Sequence, residues 1–209
     1  NIKNQSNDYC NFKIDDNEIK LNEQQVKIVK SNIEENMRII ACAGSGKTTT
    51  IICRLKFLID SGIDPKKIMI TTFNVDAAKS IENKIINLFG YMPNITLGTI
   101  DSISKKFYYK FKIEENNNFL GVCEYSSKLL DYIQGENGKQ ILDNYEYIFF
   151  DEFQDINNIQ FQIVLNFYNN GSKVVLIGDD AQNIYSFRGS NIEYILNLHR
   201  YIQKFTTYK

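Results

Sequence analysis

The chain has no tryptophan, only two prolines and a single histidine, His199. Its four cysteines, Cys10, Cys42, Cys53 and Cys123, show no CxxC spacing and no histidine neighbours. That pattern argues against a zinc site and against a disulfide scaffold, and it fits a reducing intracellular setting. Nowhere does an apolar run approach the ~18 residues that a bilayer-spanning helix needs, and the opening NIKNQSNDYC has no apolar signal region. The expectation is therefore a soluble intracellular protein, of cytoplasm or nucleus, with no membrane partner. An excess of one charge is also lacking: 24 Lys and Arg face 25 Asp and Glu, for a formal charge of −1. Any contact with nucleic acid must then come from a local surface, not from overall attraction. Internal repeats and low-complexity tails are absent as well. What remains is 209 residues with 43% hydrophobic content, ample for one sizeable core.

The most informative stretch is RIIACAGSGKTTT, residues 38 to 50. An apolar run predicts a buried strand over 38–41, and Gly44 and Gly46 let the backbone curl so that successive N–H groups point at an anion. Lys47 and Thr48 open a helix whose N-terminus adds partial positive charge. This is the pattern of a phosphate-binding P-loop: Lys47 would reach the β- and γ-phosphates and the Thr48 hydroxyl would be one ligand of Mg²⁺. Ala41 stands where the general pattern has glycine.

Around that loop the chain alternates strands and helices. A polar lead-in over residues 1–20 precedes a helix over 22–35, capped by Asn22 and carrying Gln25 near its start. Helices are predicted over 47–60, 75–89 and 100–111, and strands over 68–71, 95–98, 147–150 and 173–177. Residues 113–144, rich in Asn, Gly and Glu with one helix near 125–133, break the rhythm as an insertion or lid. A helix over 192–205 closes the chain. The order predicts an α/β fold with a mostly parallel sheet flanked by helices, in which ligands bind off the carboxyl ends of the strands.

Two strands deliver acids to that edge, the first into DEFQD (residues 151 to 155) and the second into GDDAQNIYSFRGS (residues 178 to 190). Asp151 can hold Mg²⁺ opposite Thr48, which leaves Glu152 beside the γ-phosphate to orient and deprotonate a water. Gln154 and Gln182 are neutral groups suited to sensing a γ-phosphate or bound water.

With these strings in hand, the chain resembles the first RecA-like motor domain of superfamily 1 helicases of the UvrD/Rep/PcrA type, over about residues 21–199. LNEQQ is similar to the family's Q motif, ACAGSGKT to motif I, where alanine at 41 is usual, TTFNVDAA to motif Ia, GTIDS to motif Ib, DEFQD to motif II and GDDAQNIYSFRGS to motif III. The resemblance implies a RecA-like P-loop NTPase domain over residues 21–209, with ATP and Mg²⁺ as cofactors. It assigns Gln25 as adenine reader, and Ala43, Gly44, Ser45, Gly46, Lys47, Thr48 and Thr49 as the nucleotide cradle. Lys47, Glu152 and Gln182 become the catalytic set, and Thr48 and Asp151 the metal ligands. Single-stranded DNA, or RNA, would lie on Phe73, Asn74, Thr99, Ser102, Tyr185, Phe187 and Arg188. Core packing is the competing reading for Phe73, Tyr185 and Phe187.

The chain departs from the family pattern at three positions. Asp76 replaces a common lysine, Asp101 a common histidine and Thr49 a common arginine, which weakens the expected grip on the nucleic-acid strand and on the base. Residues 113–144 stand where the family usually carries an accessory domain. A second RecA-like domain, which the family supplies further along as a partner of the first, has no counterpart within residues 1–209. A monomer is expected. The alternative functions are a nucleotide-gated binding module without useful catalysis, and an RNA motor of the same superfamily.

Overall fold

In a computed structural model the protein is described over residues 11–14, 17–42, 44–114, 120–179, 194 and 197–209. Strands β1 (Asn11–Ile14) and β2 (Asn17–Lys20) pair antiparallel ahead of the main body, where the sequence reads as an irregular lead-in. Helix α1 (Glu23–Val29) follows, opened by a capping box in which Asn22 and Gln25 exchange side-chain and backbone hydrogen bonds. It stops well short of the predicted residue 35, and past its end the carbonyls of Val29, Ser31 and Asn32 accept from the guanidinium of Arg54.

Six strands form one parallel sheet: β3 (Met37–Ile40), β4 (Ile68–Thr72), β5 (Thr96–Thr99), β6 (Tyr147–Phe150), β7 (Lys173–Gly178) and β8 (Thr206–Tyr208), in the spatial order β5-β4-β6-β7-β3-β8. The connecting helices are α2 (Lys47–Asp60), α3 (Val75–Phe89), α4 (Ile100–Lys110), α5 (Val122–Gln134), α6 (Lys139–Leu142) and α7 (Asn158–Asn169).

Strand period fixes the two layers. Tyr147 and Phe149 of β6 and Val175 and Ile177 of β7 share a cluster with α1, α2 and α3, while Ile148, Phe150, Val174 and Leu176 pack with α4, α5, α6 and α7. A sheet buried on both faces reads as continuous apolar runs, which is what YIFF and VVLIG show. The mostly parallel, helix-flanked fold expected from the sequence is thus the one observed, and it is parallel throughout these six strands.

Three segments differ from the sequence reading. Helix α7 has no counterpart in that reading; it buries Phe161, Ile163, Val164, Leu165 and Phe167. Within residues 113–144, α5 contains the helix expected near 125–133, and α6 is a second, short helix; together they bury Tyr125, Leu129, Ile133 and Ile141. The closing helix over 192–205 gives way, over the described residues from 197 onward, to a 3-10 turn at Leu198–Arg200 and then to β8. The free edge of β3 explains the change: Asn36 donates to Lys204 O at 3.1 Å and accepts through its own carbonyl from Thr206 N–H at 2.9 Å, drawing the chain into the sheet. Arg38 then bonds the Thr207 hydroxyl and stacks on Phe205.

Candidate active site

The carboxyl ends of β3, β4, β6 and β7 lie together: Ala41 N–H donates to Gly178 O at 3.0 Å, and Asp151 N–H to Thr71 O at 2.9 Å. The loop after β3 curls through Gly44 (φ +77°) and Gly46 (φ +84°), both in the left-handed region. A Cβ on Gly46 would come within 2.7 Å of Gln25 Nε2, so that glycine serves both the turn and the close approach of α1. Ser45 N–H bonds Cys42 O at 3.2 Å, and Thr50 closes the first turn of α2 onto Gly46 O through both its N–H and its hydroxyl. Lys47 and Thr48 stand at the start of α2, with Thr49 half-buried behind them. Ala43 lies outside the described residues.

Opposite the loop, β6 ends in Asp151, and Glu152 adopts the left-handed conformation at φ 56°, uncommon for a residue with a side chain. That turn aims its carboxylate back at the P-loop, with Lys47 Nζ 3.4 Å from Glu152 Oε2. Gln154 joins a third strand to the pair. Its Nε2 donates to Glu152 Oε2 at 2.6 Å and its Oε1 accepts from Asp179 N–H, at the end of β7, at 3.0 Å. One of the two glutamines suited to sensing phosphate therefore bridges the ends of two strands.

Asp151 is 5% exposed and its carboxyl is pushed up to about 6, first by burial and then by the charge of Glu152. A buried acid that accepts one bond, from Glu152 N–H at 3.0 Å, and is short of positive charge fits a hard divalent cation. Among the described residues no group of three or more His, Cys, Asp or Glu could hold an ion alone. An ion bound by Asp151 and Thr48 would draw the rest of its shell from phosphate and water, as magnesium commonly does.

The raised carboxyl has a consequence for stability. Because the folded value lies above the ordinary 3.8, the stabilisation from Asp151 is complete below about pH 4 and is lost as pH rises through about 6. In EDTA, the unfolding free energy of wild type relative to Asp151→Asn should therefore fall by about 2–3 kcal/mol between pH 4 and pH 7.5, read by urea denaturation. Parallel pH profiles for the two proteins would exclude a shifted Asp151.

Of the residues assigned to a nucleic-acid strand, Phe73, Asn74, Thr99 and Ser102 sit at the same edge, one strand over. Phe73, after β4, is 39% exposed and so is not a core residue. Asn74 caps α3, accepting from Ala77 N–H at 2.7 Å, and Thr99 caps α4, accepting from Ser102 N–H at 3.2 Å. Ser102 also donates to Thr99 O at 2.9 Å. Asp101 receives a hydrogen bond from the Ser126 hydroxyl at 2.6 Å, so this departure from the family pattern fastens α5 to α4. Gln182, Tyr185, Phe187 and Arg188 lie outside the described residues.

A cleft of about 380 Å³ runs from the P-loop toward α1, bounded by Gln25, Ile28, Ala41, Ser45, Thr50 and Lys209. Larger hollows occur elsewhere, including one of about 900 Å³ beside Asn36 and Tyr168, but none of its lining residues belongs to the P-loop or to residues 151–155. Chemistry, not size, picks the smaller cleft. Sequence reasoning misses Arg54, although a charged residue between Cys53 and Leu55 in a buried stripe is a visible signal.

A P-loop and a strand-end acid at the carboxyl edge of a parallel sheet define a RecA-like P-loop nucleotide-binding domain. A DEAD-box protein from Methanococcus jannaschii superposes with a TM-score of 0.56 at 19% identity, covering 90% of this chain and 49% of that one, a likeness of fold. Residues 24–188 match the AAA domain family model (AAA_19), and the chain belongs to that family, as an N-terminal domain of the UvrD-like superfamily 1 helicase type. A putative ATP-dependent DNA helicase, R568, of Acanthamoeba polyphaga mimivirus is 34% identical over 188 residues, 85% of this chain and 27% of that protein. A probable DNA helicase II homolog of Mycoplasma capricolum is 26% identical, over 86% of this chain and 37% of that protein. The chain thus spans about a third of the length of these relatives. Among the described residues, no helix is long and apolar enough to cross a membrane.

Proposed function

We propose that this chain is the ATP-binding motor domain of a DNA helicase, which binds Mg·ATP in the P-loop and couples its hydrolysis to movement along single-stranded DNA. The observation that carries the reading is the approach of Lys47 Nζ to Glu152 Oε2, 3.4 Å, which puts the phosphate-binding lysine and a candidate general base on one small volume. Lys47 would hold the β- and γ-phosphates once they displace Glu152. Glu152, already held by Gln154, would then be free to orient water. A magnesium ion on Thr48 and Asp151 would neutralise phosphate charge.

The exposed ring of Phe73 would stack on a base, a contact of about 1–3 kcal/mol that reads no sequence. Ser102 and the cap residues Asn74 and Thr99 would set the backbone path beside it. Gln154 ties Glu152 to the end of β7, from which the GDDAQNIYSFRGS segment leaves, and so supplies a route by which an occupied strand site alters the base. In a whole protein of the relatives' length, a second RecA-like half would complete the ATP site with arginine.

Lys47→Ala tests the reading. Loss of a charge-assisted contact should weaken Mg·ATP about 10- to 100-fold in isothermal titration. Equal affinity in the two proteins, or no uptake by wild type, would reject nucleotide binding at this loop.

A further inference from the structure

Arg54 lies in the P-loop helix α2, 1% exposed, with no side-chain carboxylate bonded to it among the described residues. Its guanidinium is spent on the backbone of the segment that ends α1: Nη1 donates to Val29 O at 2.9 Å and to Ser31 O at 2.6 Å, and Nη2 to Asn32 O at 2.9 Å. Nε has no partner among the described residues, and burial lowers the guanidinium's affinity for its proton. A cation at a helix C-terminus is favourably placed against the helix dipole, and here it also satisfies the open carbonyl of Val29, the last helical residue.

Seven residues are too few for a helix to hold its own place in water, so α1 stands where Ile28 and Val29 pack against α2 and where its two ends are fastened. Arg54 fastens one end. At the other, Gln25 accepts from Asn22 N–H at 2.9 Å and donates to Ser45 O at 3.2 Å, over a glycine whose Cβ it would exclude. Between those ends α1 and its cap supply one wall of the 380 Å³ cleft through Asn22, Gln24, Gln25 and Ile28. Arg54 lines no part of that cleft. The phosphate cradle, by contrast, hangs on β3 and α2 and needs no contact from α1 beyond Gln25.

We infer that Arg54 is a positioning residue for the base end of the nucleotide site: by holding the end of α1 against α2 it sets where Gln25 meets a bound nucleoside, without touching the nucleotide. The inference rests on the nucleotide reading above. It separates two halves of one ligand, since the base and sugar would lie along the α1 wall, whereas the phosphate cradle meets α1 only through Gln25.

Titrating the 209-residue chain with Mg·ATP and with Mg·tripolyphosphate tests this, in wild type, Arg54→Met and Arg54→Lys. Arg54→Met should weaken Mg·ATP about tenfold and leave tripolyphosphate within about twofold. Arg54→Lys should fall in the same direction, because an ammonium cannot serve three carbonyls in a planar fork. In a Gln25→Ala background, Arg54→Met should add less than about twofold to the loss, since both changes act through one wall. Unchanged Mg·ATP affinity in both Arg54 variants, or equal losses for both ligands, would overturn the inference. If Arg54→Met fails to melt cooperatively, Arg54→Lys decides by the same ratio, and failure of both would mark Arg54 as a folding residue only. A wild-type chain that binds neither ligand would instead reject the nucleotide reading itself.

Discussion

Glu152→Gln should stop ATP turnover, lowering the rate about 10²- to 10⁴-fold, while Mg·ATP stays bound. The amide cannot take a proton from water, yet it has the shape of the acid, so the left-handed backbone at this position is strained no more than before. Its carbonyl can still accept from Gln154 Nε2, which keeps the bridge to β7. Lys47 loses the carboxylate that stands 3.4 Å away and should meet the γ-phosphate with less competition. Nucleotide affinity should therefore hold or rise as the rate falls. The measurement is phosphate release under single-turnover conditions beside a nucleotide titration. Equal rates for Glu152→Gln and wild type would take the general base away from Glu152, and a wild type that binds Mg·ATP but releases no phosphate would favour a nucleotide-gated binding module.

Phe149→Ala should be the most damaging change to stability, costing about 3–5 kcal/mol. The ring is fully buried, in the middle strand of the group that carries Asp151 and Glu152, and packs in the cluster of Ile39, Ile70, Val175 and Ile177. Its carbonyl meanwhile accepts from the Thr71 hydroxyl at 3.1 Å. Truncation leaves a cavity between the sheet and the α2 layer that rigid strands on either side cannot close. For a domain of this size the melting temperature should drop by about 6 to 20 °C, followed by calorimetry. A shift under about 2 °C would mean that the layer collapses around the missing ring and that β6 is not held as described.

Elements whose ends are written in local chemistry are legible in the amino-acid sequence itself. Helices over 47–60 and 75–89 match α2 and α3 because Gly46, Gly62, Asn74 and Gly90 punctuate them. The strand over 147–150 stands out because it is apolar on both faces. Helix α7 escapes because Phe161, Ile163, Val164, Leu165 and Phe167 crowd into a run that reads as strand, although Asn158, Gln162, Asn166 and Asn169 recur at helical spacing and Asn157 and Gln160 form a capping box at its start. Strand β8 is three residues whose only reason to be extended is a partner about 170 positions earlier.

The site divides in the same way. Lys47, Thr48, Asp151 and Glu152 sit in short strings whose residue types state their chemistry. The bonds from Gln154 to Asp179 and from Arg54 to the end of α1 join residues 22 to 25 positions apart, and no local pattern announces them. Asp101 carries a second role that its position in the motif does not announce: it is the acceptor for the Ser126 hydroxyl.

The position of β3 in the sheet has a consequence for the newborn chain. Both of its neighbours, β7 and β8, are made long after it. At about 5–20 residues per second, a ribosome needs on the order of 7–28 s to travel from residue 40 to residue 178. Throughout that interval MRII presents two unpaired backbone edges, and the loop behind it has no fixed strand from which to curl. The phosphate loop is thus translated well before the strands that hold it in place, and throughout that interval β3 is open to self-association.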